Sequence, residues 1–275
     1  ATTPIYPQAL DTYVKTSQRI IGNPSSLHDL GSQANRLLEQ ARKQIADLIQ
    51  VESTEIYFTS GGTEGDNWVL KGTAIEKKQF GRHIIISTIE HPAVSETAHQ
   101  GVGFIYWKHG RKLAPLLNGG GQEKNQRSST ENIAGIVSMA KALRLYLDKK
   151  NEKPEHTAII RRYLIEALKK YANVKVFSKE TDDFAPHILC FALKGIRGEV
   201  LVHALEEKQI YTSTTSACSS RKKLASSTLH GMNVPDSLAT SAIRVSLDES
   251  NTIAEAEQFM IIFNQLYKKF SIIRS

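Results

Sequence analysis

The sequence predicts an α/β protein: a parallel sheet covered by helices, followed by a smaller α+β domain. The first observation is the strand–turn–helix–strand order over residues 55–88, which is typical of the βαβ unit of parallel sheets. The second is a run of shorter strands and helices over 133–270, entered through the polar, glycine-rich stretch 118–130. A length of 275 residues is compatible with one large domain or two unequal ones.

Hydrophobic periodicity predicts the elements of the first half. Apolar residues recur at three- and four-residue steps from Leu30 to Leu48, which indicates an amphipathic helix. The predicted elements are, in chain order, a helix over 27–50, a strand over 55–59, a turn over 60–64, a helix over 66–78, a strand over 82–88, the start of a helix over 91–100 and a strand over 101–107. Because an α/β sheet usually has about five or six strands, this half is predicted to lack part of its sheet.

The second half is predicted to form a complete unit. Its predicted helices are 133–147, 155–171, 199–208 and 252–270, and its predicted strands are 174–177, 187–192 and 242–247. Strands and helices in this order favour a sheet with helices packed on it.

Composition and charge exclude several classes of protein. With 40% hydrophobic and 23% charged residues the chain can bury a sizeable core, which excludes disordered and collagen-like chains. No apolar run approaches the roughly 18 residues of a membrane span, and the first residues do not resemble a signal peptide. The net charge of +7 is a weak signal for nucleic acid, and we expect no direct nucleic-acid partner.

The two cysteines differ in their surroundings. Two cysteines cannot build a disulfide scaffold, so a cytoplasmic location is predicted, and without a C-x-x-C pair no metal site is expected. Cys218 lies in a Ser/Thr-rich stretch over 212–220, which predicts an exposed, mobile loop, and Arg221-Lys222-Lys223 would favour its thiolate. A reactive cysteine and a chance loop cysteine both fit this pattern. Cys190 stands in an apolar strand and is predicted to be a small buried hydrophobe.

Three further positions combine functional residue types with a suitable place in the fold. Ser60-Gly61-Gly62-Thr63 joins a strand to a helix, where free N–H groups can bind a phosphate, although a plain tight turn fits equally well. His91 follows a strand at the sheet edge where α/β proteins bind ligands, and a helix-cap histidine would look the same. Arg244, between apolar strand residues, either packs its stem at the surface or binds a carboxylate.

Eight short segments occur in the order found in one enzyme family. They are Ala1-Thr2-Thr3-Pro4, Gly22-Asn23-Pro24-Ser25-Ser26, 58–67 (Phe-Thr-Ser-Gly-Gly-Thr-Glu-Gly-Asp-Asn), Glu90-His91-Pro92-Ala93-Val94, Gly119-Gly120-Gly121-Gln122-Glu123, Arg127-Ser128-Ser129-Thr130, Ser216-Ala217-Cys218 and Ile243-Arg244-Val245-Ser246-Leu247. In this arrangement the chain resembles the cysteine desulfurases of the NifS/IscS type, in the class V aminotransferase group of pyridoxal-phosphate (PLP) enzymes. The resemblance implies a fold-type I transferase. Its large cofactor-binding domain would be 14–133, and its small domain would be 1–13 with 134–275, carrying the catalytic-cysteine loop.

The resemblance also implies a role for each site residue. Gly62 and Thr63 would hold the cofactor phosphate, and Thr130 would reach the phosphate of the neighbouring subunit's cofactor in a homodimer. His91 would stack on the pyridine ring and take part in catalysis. The other implied roles are Arg244 for the substrate carboxylate, Asn23 for the substrate side and Cys218 as the nucleophile. Where the family has glycine, this chain has Ser129 and Thr215.

The implied reaction removes sulfur from L-cysteine. The family's PLP acts as an electron sink, the Cys218 thiolate takes the substrate sulfur as a persulfide, and L-alanine leaves. A mobile loop would then carry the sulfur to an acceptor protein, for iron–sulfur cluster assembly or tRNA thiolation. Two other enzyme types remain open, a selenocysteine lyase and another class V enzyme, as does a cofactor-less pseudoenzyme that binds a sulfur acceptor.

One departure from the family pattern is large. Between Gln100 and Gly101 the family carries on the order of a hundred further residues, including the Asp at the pyridine nitrogen and the Ser-x-His-Lys segment with the Schiff-base lysine. No lysine here stands in that context. The sequence therefore represents either part of a longer chain or a true internal deletion, and we favour the longer chain because half a parallel sheet would leave strand edges unpaired. A chain seen without that lysine would be expected to lack bound PLP.

Overall fold

The computed structural model describes residues 5–81, 101–152, 155–181, 183–214 and 227–274. The chain forms two compact units, Pro4–Asp148 and Lys149–Ser275. Within the described ranges no helix has the length and apolar character needed to cross a membrane. The same ranges contain no cluster of His, Cys, Asp and Glu suited to a metal ion.

The first unit places helices against a two-stranded antiparallel pair. Its elements are α1 (Pro7–Arg19), α2 (Asp29–Ile49), β1 (Ile56–Thr59), α3 (Gly62–Glu76), β2 (Gly103–Tyr106) and α4 (Ile133–Glu152), the last of which continues into the second unit's range. In the β1–β2 pair Ile56 lies opposite Tyr106 and Thr59 opposite Gly103. The segments predicted as a strand over 82–88 and a helix start over 91–100 lie outside the described residues.

The predicted amphipathic helix is confirmed as α2, and its apolar stripe forms the core of this unit. Leu38, Ala41 and Ile45 pack with β1 residues and with the start of α4. Two expectations need correction. Helix α3 begins at Gly62, four residues before the predicted start, because the glycine turn itself supplies the first helical turn. Helix α1 was not predicted, although Pro7 at its first turn is a typical helix start.

The second unit is a four-stranded antiparallel sheet with helices on it; three of the strands and the packed helices were predicted, but the antiparallel order was not. Its elements are α5 (His156–Lys169), β3 (Val174–Val176), β4 (Ile188–Leu193), α6 (Gly198–Glu206), β5 (Ser213–Thr214), α7 (Ser227–Gly231), α8 (Asp236–Ala239), β6 (Ala242–Ser246) and α9 (Ile253–Arg274). The strand order is β3-β4-β6-β5. Strand β5 corrects the sequence expectation, because it begins inside the stretch predicted to be a loop.

The two faces of this sheet differ in character. Because side chains alternate along a strand, Leu189, Phe191 and Ile243 share one face, which is buried with residues of α5, α6 and α9. The opposite face carries Cys190, Arg244 and Ser213 in one row across three strands, since Arg244 lies opposite both other residues. Arg244 is therefore held by the sheet on the face away from the main core.

Candidate functional site

A helix start without a capping side chain from the described residues lies at the predicted phosphate turn. Strand β1 ends at Thr59, and the first intrahelical bond of α3 is donated by the Gly65 N–H to the Gly61 carbonyl at 3.2 Å. The N–H groups of Gly62 and Thr63 precede that bond, and among the described residues no side chain caps the helix at Gly61. A β-carbon added to Gly62 would have no described atom within 4 Å. This turn can therefore accept an anion such as a phosphate.

Strand β2 approaches the back of the same turn. A β-carbon at Gly103 would lie 2.8 Å from the Gly61 carbonyl carbon and 2.9 Å from the Thr59 hydroxyl oxygen. Only a glycine fits there without moving the backbone of the turn. Gly103 thus allows the second strand to set the position of the turn.

An ion pair joins α3 to the segment that carries Thr130. Arg127 donates from Nε to Oε1 of Glu64 at 2.8 Å and from a terminal nitrogen to Oε2 at 2.9 Å. The Ser60 N–H and hydroxyl also donate to Oε2, at 2.8 and 2.5 Å. Burial alone would raise the pKa of Glu64, but the hydrogen bonds from Arg127 and Ser60 lower that pKa to about 2. Glu64 is therefore ionised and fully paired.

A second, deeper ion pair holds the same segment against β1. The guanidinium of Arg42 donates to both carboxylate oxygens of Glu123, at 2.9 and 2.7 Å, and to the Ile56 carbonyl at 2.7 Å. The Phe58 N–H donates to Glu123 Oε2 at 2.8 Å. Glu123 stands in a left-handed turn with Lys124 and Asn125, at φ values of 47°, 58° and 64°. Such backbone is costly for non-glycine residues, so the buried pair helps to stabilise the turn.

Thr130 lies close to the phosphate turn of its own chain. Ser60, Arg127, Thr130 and Glu131 line one cavity of about 160 Å³ in the first unit. Oxygen Oε2 of Glu131 is buried and has no hydrogen-bond partner among the described residues, and burial raises the pKa of this carboxyl. The cavity therefore combines a hydroxyl, a guanidinium and a carboxyl beside the turn.

Arg244 has a donor that is not used within the described part of the chain. Its Nε is buried and lacks a hydrogen-bond partner there. The neighbouring Cys190 is half-buried, and burial raises the pKa of its thiol to about 12 although the Arg244 charge acts in the opposite direction. An unpaired buried guanidinium donor fits a residue that binds an anionic ligand. Cys190 lies in an apolar strand as predicted, but it is half-buried rather than fully buried.

Of the remaining predicted site residues, only Asn23 lies within the described part of the chain. Asn23 is exposed, and its Oδ1 accepts the Ser25 N–H at 2.9 Å, so its carboxamide oxygen is used within its own turn. Cys218 and His91 lie outside the described residues. The structure thus places Thr130 in a cavity that Ser60 also lines, whereas Gly62 and Thr63 do not line that cavity. These four residues belong to the first unit, and Arg244 belongs to the second.

Sequence reasoning missed the two ion pairs. Glu64, Glu123 and Arg127 stand inside recognised motifs, but Arg42 belongs to none of them. The partners are 63 and 81 positions apart in sequence. A charged residue on the apolar stripe of α2 was the one available signal, because a buried charge requires a partner.

The comparisons with known proteins agree with the motif order. The family model described as aminotransferase class-V matches residues 1–100 and 96–259. A relative named "NifS/IcsS protein homolog" from Lactobacillus delbrueckii subsp. bulgaricus is 39% identical, and the alignment covers 99% of this chain and 97% of that protein. "Cysteine desulfurase IscS" from Methanosarcina thermophila is 27% identical over 98% of this chain and 91% of its own length. The predicted resemblance to NifS/IscS proteins is confirmed.

Solved structures confirm the predicted fold class. A NifS-like protein superposes with a TM-score of 0.87 at 24% identity, covering 99% of this chain and 98% of that one. A NifS-like protein from Rickettsia africae superposes with a TM-score of 0.83 at 22% identity, covering 97% of each chain. At 24% and 22% sequence identity, these superpositions show a shared fold and do not by themselves show a shared function.

The alignment with the Lactobacillus relative is longer than the chain itself. It runs over 373 positions, whereas the chain has 275 residues, so about 100 positions have no residue here. The family model matches in two parts that meet at 96–100, beside the Gln100–Gly101 junction.

Proposed function

Because the chain belongs to the class V aminotransferase family, we propose that its protein is a cysteine desulfurase that releases L-alanine from L-cysteine and keeps the sulfur as a persulfide. Enzymes of this family depend on PLP, which supplies an electron sink at the substrate's α-carbon when bound. The observation that carries the proposal is the helix start at Gly62 and Thr63, in a chain whose relatives include proteins named cysteine desulfurase over 98–99% of its length.

The residues at this turn suit the phosphate of PLP. The N–H groups of Gly62 and Thr63 would donate to the phosphate, together with the Thr63 hydroxyl. The acid nearest to the turn, Glu64, is paired with Arg127. The fit concerns the phosphate end of the cofactor, because this chain supplies no residue that can be assigned as its covalent lysine.

We assign the substrate end to Arg244 of the second unit, to Asn23 of the first unit, and to Cys218 and His91, which lie outside the described residues. The Nε of Arg244, which has no hydrogen-bond partner among the described residues, would bind the α-carboxylate of L-cysteine, and Asn23 would line the substrate side. Cys218 would attack the substrate sulfur as a thiolate and form the persulfide, and His91 would stack on the cofactor ring and move protons. An acceptor protein would then take the sulfur for iron–sulfur cluster assembly or tRNA thiolation.

We also propose a homodimer in the cytoplasm, as the two-cysteine count and the family resemblance predict. Thr130 would then contact the cofactor phosphate of the neighbouring subunit. Exposed apolar side chains near the start of the chain support a covered surface there. They are Ile5, Leu10, Tyr13, Val14, Ile21, Leu27 and Leu30. The domain division into 14–133 and 1–13 with 134–275 stays a prediction; the compact units divide the chain after Asp148.

A second candidate function rests on the roughly 100 positions of the relative's alignment at which this chain has no residue. If the protein truly lacks about 100 internal residues, it would be a cofactor-less scaffold that binds a sulfur acceptor. The intact mass of the protein isolated from its own cells distinguishes the proposed desulfurase from this scaffold. A mass near 30.6 kDa supports the scaffold, and one about 10 kDa heavier, at about 110 Da per residue, supports the enzyme.

Absorption on adding PLP provides the second test of the proposed enzyme. The desulfurase should develop a visible cofactor band and convert L-cysteine to L-alanine. A heavier protein that develops no such band would contradict the proposal. A selenocysteine lyase would keep its activity on selenocysteine in the C218A variant, whereas the proposed desulfurase would lose its activity on L-cysteine.

A further inference from the structure

An ionised carboxylate lies at the helix end where a phosphate is proposed to bind. Glu64 is the third residue of α3, immediately after Gly62 and Thr63. Its side chain is only 7% exposed, and that of Arg127 is 12% exposed, so solvent screens this carboxylate weakly. Left unpaired, the carboxylate would repel a phosphate dianion at the same N–H groups.

The size of that repulsion is large enough to control binding. At an effective dielectric constant of about 20, an uncompensated unit charge about 6 Å away changes the affinity for an anion by at least about tenfold. The bidentate contact of Arg127 with both Glu64 oxygens cancels the charge locally. A terminal nitrogen of Arg127 also donates to the Ser129 carbonyl at 3.4 Å, next to Thr130.

We propose that Arg127 is a positioning residue that neutralises Glu64 and thereby keeps the α3 helix start receptive to the phosphate of the cofactor. This inference rests on the proposed function. It differs from a purely mechanical role, in which the pair would only hold the 117–130 segment against α3. If the role were mechanical, removing either Arg127 or Glu64 would weaken phosphate binding to a similar extent. If the role is electrostatic, removing Arg127 weakens phosphate binding, whereas removing the charge of Glu64 does not weaken it.

The test compares three variants of the full-length protein: R127M, E64Q and the double variant R127M/E64Q. The probes are pyridoxamine 5′-phosphate and pyridoxamine, which differ only in the phosphate and need no covalent lysine. Their dissociation constants are measured by calorimetry, and the ratio between them isolates the phosphate contribution. The matched control is R197M, which removes the exposed pair between Arg197 and Glu199 in the other unit.

We expect R127M to weaken binding of pyridoxamine 5′-phosphate by at least about tenfold without affecting pyridoxamine. E64Q should bind the phosphate form at least as tightly as the wild type, the double variant should recover most of the loss, and R197M should match the wild type. Weaker phosphate binding by E64Q, or no recovery in the double variant, would overturn the inference. If R127M does not fold, the affinity of E64Q for pyridoxamine 5′-phosphate still decides between the two roles, because only the mechanical role predicts weaker binding.

The outcomes also separate this inference from the proposed function. If the wild type prefers the phosphate form but the variants follow the mechanical pattern, only the role of Arg127 fails. If the wild type binds both probes equally, the proposed phosphate site fails and the inference fails with it.

Discussion

Replacing Arg42 with methionine would leave the carboxylate of Glu123 buried without its main partner. The two side chains are 4% and 1% exposed, and Arg42 supplies two of the three hydrogen bonds that Glu123 accepts from the described residues. The remaining donor is the Phe58 N–H. Removing one partner of a buried ion pair costs about 3–5 kcal/mol, because the other charge stays desolvated.

The first unit contains a convenient reporter for this loss. Trp68 and Trp107 are the two tryptophans of the chain, and both lie in the unit that contains Arg42 and Glu123. Their fluorescence in a urea titration therefore reports on the unfolding of this unit. With a urea slope of about 2 kcal/mol per molar, the expected loss lowers the midpoint by roughly 1.5–2.5 M.

Two further variants separate charge from packing. The double variant R42M/E123Q removes both charges and should be more stable than R42M alone, because no unpaired carboxylate remains. The K15M variant removes the exposed pair between Lys15 and Asp11 in the same unit, and its midpoint should not move. If the urea midpoint of R42M shifts no more than that of K15M, the buried pair does not contribute the expected stability. A double variant that is less stable than R42M would also contradict the role assigned to the unpaired carboxylate.

The remaining predictions concern four other sites. Cys190, whose thiol pKa is raised to about 12, should resist alkylation at pH 8 in the folded protein; labelling at the rate of free cysteine, measured by peptide mass spectrometry, would contradict this. The lowered pKa of Glu64 stabilises the fold above the ordinary carboxyl range, and this stability is lost as the pH falls from about 5 towards 2. Acid unfolding followed by tryptophan fluorescence should therefore occur at higher pH in R127M, and an unchanged midpoint would exclude this linkage. G103A should destabilise the first unit by about 1–3 kcal/mol, because its methyl group would collide with the Gly61 backbone; an unchanged urea midpoint would show that the turn can move. R244Q should raise the KM for L-cysteine with a smaller effect on kcat, and an unchanged KM would remove Arg244 from the carboxylate site.

Local sequence signals predicted most of the elements. The stripe from Leu30 to Leu48 predicted α2, and short apolar runs predicted β1, β4 and β6. The start of α3 was predicted too late, because glycines at 61 and 62 are typical of a turn and give no sign that the helix begins within it. Strand β5 is only two residues long and depends on pairing with β6, so local propensity could not reveal it.

The sequence predicted which positions belong to the site, but it did not predict how the side chains around them pair. The strand–glycine–helix junction predicted an anion site, and within the described part of the chain no side chain caps the helix start at Gly61. The pairing of Arg127 with Glu64 and of Arg42 with Glu123 depends on how distant segments pack, which no periodicity encodes. Tertiary contacts of this kind decide whether a charged residue is solvated or buried.

The most direct test of the central claim is L-alanine formation from L-cysteine by the PLP-loaded protein isolated from its own cells. The comparison is between the wild type, the C218A variant, which removes the proposed nucleophile, and the C190A variant, which removes the other cysteine. We expect the wild type and C190A to form L-alanine at similar rates and C218A to form none. L-Alanine from C218A at the wild-type rate, or none from the wild type, would contradict the account.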